Sequence, residues 1–79
     1  MKQTAVEPIS REDFAEFVRN MRKAARITQK RLGELLGTDQ PAINRWEHGA
    51  YMPREADVVI KRIREVVRRE IQLRRMLET

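Results

Sequence analysis

The sequence contains no cysteine, a single histidine, three glycines, three prolines and only 5% aromatic residues. Without cysteine there is neither a disulfide nor a thiolate metal site to substitute for a core, and the lack fits a reducing compartment. One histidine, His48, is too few for a His-cluster zinc site. No apolar run approaches the roughly 20 residues that cross a bilayer, and the stretch from Met1 to Ile9 lacks the apolar segment of a signal peptide. The expectation is a cytoplasmic protein. No nucleophile-base pair, paired carboxylates or metal set can be assembled, so neither an enzyme nor a cofactor is expected.

What the sequence does have is charge. Lys and Arg total 17 against 12 Asp and Glu, a formal net charge of +5 over 79 residues. Such a surplus favours polyanionic partners, nucleic acid first and an anionic membrane surface second. One domain of this size buries a thin core, which a second copy or another partner would supplement.

Helical spacing runs through the chain, with no strand candidate. Residues 1–9 show no period and read as a flexible arm. Ser10 is placed to cap a helix over about Arg11 to Arg26, whose apolar face is Phe14, Phe17, Val18, Met21 and Ala25. Thr28 caps a short second helix with Leu32, Leu35 and Leu36 inside, stopped by Gly37. Asp39 caps a third over about Gln40 to His48, with Pro41 in the first turn, where its missing N–H costs nothing. From Arg54 to Thr79 there is no Gly or Pro. Ala56, Val59, Ile63, Val66, Leu73 and Leu77 alternate at 3-4 spacing, broken by Glu70. One helix of up to about 39 Å fits, at 1.5 Å per residue, as do two shorter ones.

The second and third predicted helices with their tight link make a helix-turn-helix. Counted from Gln29, Gly33 stands fifth, where it lets the helices cross closely. Gly37 stands ninth, where the turn needs positive φ, and Ile43 stands fifteenth, where it plugs the angle between the helices. An ordinary helical hairpin has much the same pattern. With Ile43 and Trp46 inward, the third helix turns Gln40, Asn44 and Arg45 outward.

The run "MRKAARITQKRLGELLGTDQPAINRWEHGAYMP" resembles the Cro/phage-repressor (Xre-type, lambda-repressor-like) helix-turn-helix family. The matching features are Arg22, Thr28 with Gln29, small Gly33, Gly37, the block "INRWEHG" and Pro53, and they span residues 11 to about 63. The resemblance implies an all-α domain, with residues 10–53 as the DNA-binding unit. Relatives commonly follow that unit with two short helices, whereas residues 54–79 here carry no turn signal and read from their own pattern as a long C-terminal helix for core packing and dimerisation. The resemblance further implies a transcriptional repressor that binds a palindromic operator in double-stranded DNA as a homodimer, through the major groove.

By the same resemblance Gln29 meets the DNA backbone and braces Gln40, while His48 and Tyr51 lie where relatives meet phosphates. Gln40 and Asn44 suit adenine and Arg45 suits guanine. Pro41 departs from the family's small polar residue and offers an apolar ring to a thymine methyl group. Arg22 and Glu47 resemble a structural ion pair tying the first helix to the third. Lys23, Arg26, Lys30 and Arg31 cluster at the first turn as phosphate contacts or simply solvated charges. The amphipathic C-terminal helix serves self-association or a different protein, as in an antitoxin that autoregulates its operon. Its Arg-Glu alternation and lack of aromatic anchors argue against a membrane surface.

Overall fold

The computed structural model describes residues 9–78. The arm expected over residues 1–9 therefore falls outside the described residues except for Ile9, which is partly buried against the core; Thr79 is also outside. Four helices follow in order: α1 (Arg11–Ala25), α2 (Gln29–Leu36), α3 (Gln40–Glu47) and α4 (Ala56–Glu78), with no strand among the described residues. The fold is all-α, and α4 is one unbroken helix rather than two.

Local chemistry starts the first three helices. Ser10, Thr28 and Asp39 each hold extended backbone angles, and their side-chain oxygens accept from Asp13 N, Arg31 N and Ala42 N, each at 3.0 Å. Each bond satisfies one of the donors that a helix start leaves without an intrahelical partner.

The same three helices also end alike. Ile27 N donates to Arg22 O at 3.2 Å, Thr38 N to Gly33 O at 2.8 Å and Ala50 N to Arg45 O at 3.0 Å. Each bond closes over a left-handed residue: Arg26 at φ 57°, Gly37 at 75° and Gly49 at 70°. Such a close needs positive φ, which glycine adopts freely and arginine only at a cost. Helix α1 accordingly ends at Ala25, one residue before its expected limit, and the arginine does the work of a glycine.

The core draws on all four helices: Phe14, Val18 and Ala25 of α1, Leu32 of α2, Ile43 and Trp46 of α3, and Ala56, Ile63, Val66 and Val67 of α4. The Phe14 and Trp46 rings meet edge to face, with centroids 5.6 Å apart. Phe17 and Met21, expected on the inner face of α1, are only partly buried at its rim. Trp46 Nε1 is the one buried side-chain polar atom without a partner among the described residues.

The expected apolar seam of α4 stops halfway. Leu73 and Leu77 are 49% and 78% exposed, because the body of the domain ends before they are reached. Polar ties take over on that stretch. Glu70 accepts from Arg31 Nε at 3.3 Å, and Arg74 Nη2 donates to Ala25 O at 3.3 Å and Arg26 O at 3.2 Å. The guanidinium thus satisfies carbonyls at the end of α1, where the helix dipole favours a cation.

Gly33 is where the helix-turn-helix is tightest. A Cβ there would stand 3.0 Å from Asp39 C, 3.1 Å from Asp39 O and 3.3 Å from Thr38 O, all backbone atoms that cannot swing away. Gly33→Val should lower stability by about 2–3 kcal/mol in urea unfolding. Arg26→Gly should raise it by about 0.5–1 kcal/mol, because the left-handed strain is relieved while the Arg74 bonds go to backbone carbonyls and survive.

Candidate nucleic-acid interface

The centre of this surface is the carboxylate of Glu47, at the end of α3 and 4% exposed. Arg22 of α1 grips it with both arms: Nε donates to Oε2 at 2.6 Å and Nη2 to Oε1 at 3.0 Å. A third guanidinium donor of Arg22 reaches Ile27 O at 3.1 Å, so one side chain binds the α1–α2 link and α3 together. Fork-to-fork pairing of this kind fixes direction as well as distance. Arg19, one turn earlier on the same face of α1, donates to the Glu47 carbonyl.

The chain of bonds continues outward from Glu47. Gln29 Nε2, on the first turn of α2, donates to Glu47 Oε1 at 3.0 Å. With its N–H committed there, Gln29 presents Oε1 to α3, where it accepts from Gln40 Nε2 at 2.7 Å and Asn44 Nδ2 at 3.4 Å. A partly buried ion pair is thereby linked, through one amide, to two amides on the outer side of α3. Each keeps its carbonyl oxygen and a second N–H, the donor and acceptor that a base edge requires.

Pro41, Arg45 and His48 form an exposed ridge beside these amides, since residues four and three apart share one helix face. The ring of His48 is not loose. Its Nδ1 lies 2.8 Å from Asn44 O, and a carbonyl can only accept, so Nδ1–H donates. Tyr51 is 54% exposed in the loop before α4. A hollow of about 490 Å³, lined by Arg22, Thr28, Gln29, Lys30 and Gln40, opens at the start of α2, where helix geometry and local cations favour an anion.

Of the residues singled out from sequence, Gln29, Gln40, Asn44, Arg22 and Glu47 are joined in one network. Pro41, Arg45, His48 and Tyr51 lie on the surface around it. Within the basic cluster, Arg31 is engaged by Glu70 and Glu34, whereas Lys23, Arg26 and Lys30 are exposed. Sequence reasoning missed Arg19, although its position three residues before Arg22 marks it as sharing that face. Among the described residues no group of His, Cys, Asp or Glu could hold a metal ion, and no helix is long and apolar enough to cross a membrane.

Burial by itself pushes the Glu47 carboxyl up, but hydrogen bonds from Arg22 and Gln29 and the charges of Arg22 and Arg19 outweigh it, leaving its pKa below the ordinary value. A lowered carboxylate pKa contributes stability in full above the unfolded-state pKa of about 4.3. That contribution is lost as pH falls through the lower native value. Urea unfolding between pH 7 and pH 3 should show this loss in the parent and a flatter profile in Glu47→Gln. At pH 7 Arg22→Met should cost about 3 kcal/mol, the lower end for breaking a buried pair, since Arg19 and Gln29 still reach Glu47.

A family described as a helix-turn-helix domain matches residues 13–61, a span that holds the whole network and the first turns of α4. Comparison with curated proteins and with solved structures gives no match. The matched segment is more than half of the chain, and its geometry is that of two helices crossing at Gly33 with the outer one presented to solvent: the chain belongs to the helix-turn-helix domain family.

Proposed function

We propose that this helix-turn-helix protein is a sequence-specific DNA-binding transcriptional repressor of the Cro/phage-repressor (Xre) type, acting as a homodimer on a palindromic operator. The observation that carries this reading is the pair of amides, Gln40 and Asn44, held on the outer face of α3 by Gln29. Free glutamine and asparagine side chains lose rotamer entropy on binding. Here much of that loss is already incurred on folding, and the amides stand ready for base edges in a major groove.

The remaining residues divide by chemistry. Arg45 reads guanine through its guanidinium fork, and Pro41 offers an apolar ring to a thymine methyl. Lys30 and the first turn of α2 hold one phosphate, while His48 and Tyr51 flank another beyond α3. Two copies meet successive major grooves about 34 Å apart. The Arg22–Glu47 pair fixes the angle of α3 to the rest of the domain and has no proton to transfer.

A second reading, an antitoxin-type module that binds a different protein through residues 54–79, is favoured by the exposure of Leu73, Met76 and Leu77. Co-expression with its genomic neighbours, followed by purification, separates the two. A stoichiometric complex with another protein through α4 would support the second reading.

Selection from random duplex DNA at moderate salt is the direct test, with enrichment of an inverted repeat expected and no enriched sequence counting against the proposal. On the selected operator, Asn44→Ala should weaken binding about 5–150-fold per half-site and relax preference at one base position in each half-site. Lys30→Gln should weaken binding to all sequences alike and reduce the slope of log K against log salt by about 1 per half-site. Equal loss on every sequence for Asn44→Ala would remove it from base reading.

A further inference from the structure

Helix α4 carries an exposed stripe on the flank away from α1, and its composition is ordered. Val58, Arg62, Glu65, Arg69, Leu73 and Met76 succeed one another at spacings of three and four, so they share one side of the helix. All six are exposed, with Val58 at 57% and Met76 at 69%. The two ends of the stripe are apolar and the middle alternates in sign.

We propose that this stripe pairs with the same stripe of a second copy, antiparallel, with the two-fold axis passing level with Val67. This inference rests on the homodimer reading above and gives it an orientation and a register. In such a pair, residues equally far on either side of the centre meet. Glu65 meets Arg69 of the second copy and Arg69 meets Glu65, so one ion pair is made twice. Val58 meets Met76 at both ends. Arg62 falls level with Gln72 and beside Leu73, which its methylene stem can cover.

Charge decides between this arrangement and its rivals. Parallel pairing sets Arg62, Glu65 and Arg69 each against itself, three like-charge contacts along one seam. An antiparallel register centred between Arg62 and Glu65 pairs those two but leaves Leu73 and Met76 outside the overlap. Only the centre at Val67 matches opposite charges and uses both apolar ends. Complementarity of a surface with itself is what a two-fold interface requires.

A cleft gives the apolar contact a second partner. Val58 and Arg62 border a hollow of about 170 Å³ whose other walls are Leu36, Thr38, Trp46 and Val59. Met76 of the second copy arrives at its mouth, and a flexible thioether is suited to filling an irregular apolar gap. From position 58 to 76 the stripe is ~27 Å long. Two such helices side by side bury on the order of 1,000 Å², at the lower end of specific interfaces.

The absence of cysteine makes the test direct. A tagged Val58→Cys chain and an untagged Met76→Cys chain are mixed, and each is also incubated alone, with oxidised glutathione as the oxidant. The mixture should give a disulfide-linked heterodimer and neither chain alone a comparable yield. Efficient linking of Val58→Cys to itself would overturn the register while leaving a dimer. No linking in the mixture, with a parent that still sediments as a dimer, would place the interface elsewhere. A parent that sediments as a monomer and binds its operator one to one would remove the dimer reading and this inference together. As an independent check, Glu65→Arg should weaken dimerisation at least tenfold, and the double variant Glu65→Arg with Arg69→Glu should recover it to within threefold. Failure of that recovery, with helicity unchanged, would overturn the pairing.

Discussion

The Glu47 carboxylate is the constraint on which the rest of the structure depends. A buried negative charge is unfavourable unless it is paired and hydrogen-bonded, and no single helix of this domain can meet that demand. Arg22 must come from α1, Gln29 from α2 and the carboxylate itself from α3. Satisfying one group therefore fixes three helices against one another. In a domain with a core this thin, directional bonds of that kind hold angles that apolar contacts alone would leave loose.

The same network connects stability to the surface proposed to read DNA. Gln29 donates inward to Glu47 and accepts outward from Gln40 and Asn44, so the orientation of the surface amides follows from the ion pair beneath them. Disturbance of the pair is transmitted to the face of α3 through a single amide. Under the proposed DNA-reading role, loss of recognition and loss of folding stability are for this reason coupled at Arg22 and Glu47, and separable at Pro41 and Arg45, which lie on the exposed ridge.

Helix α4 has two parts with different physics. Its first half is built into the core through Ala56, Ile63, Val66 and Val67. Beyond that, Glu70 and Arg74 fasten it to α2 and to the end of α1 by polar contacts. Near Glu70 packing gives way to charge pairing, with Ile71 still packed against the core and the residues beyond it exposed. The C-terminal apolar residues beyond it, Leu73, Met76 and Leu77, remain exposed.

Much of the fold was legible along the chain because helix starts and stops are local matters. Ser10, Thr28 and Asp39 cap the next turn, and Gly37 takes the left-handed angle. Residues within four positions settle each of these. The sequence by itself therefore determined three helical segments followed by a helical C-terminal stretch of one helix or two, the tight turn between α2 and α3, and which face of α3 turns outward. Only the tertiary structure decided that Arg26 stands in the left-handed conformation, that α4 is continuous, that its seam ends before Leu73, and that Gln29 joins Glu47 to Gln40 and Asn44. The joining of Gln29 to Gln40 and the fastening of α4 to the end of α1 depend on groups 11 to 49 residues apart in the chain, whose meeting is set by how helices pack and where the domain runs out; Arg26 closes α1 by a local bond that no glycine in the sequence announced.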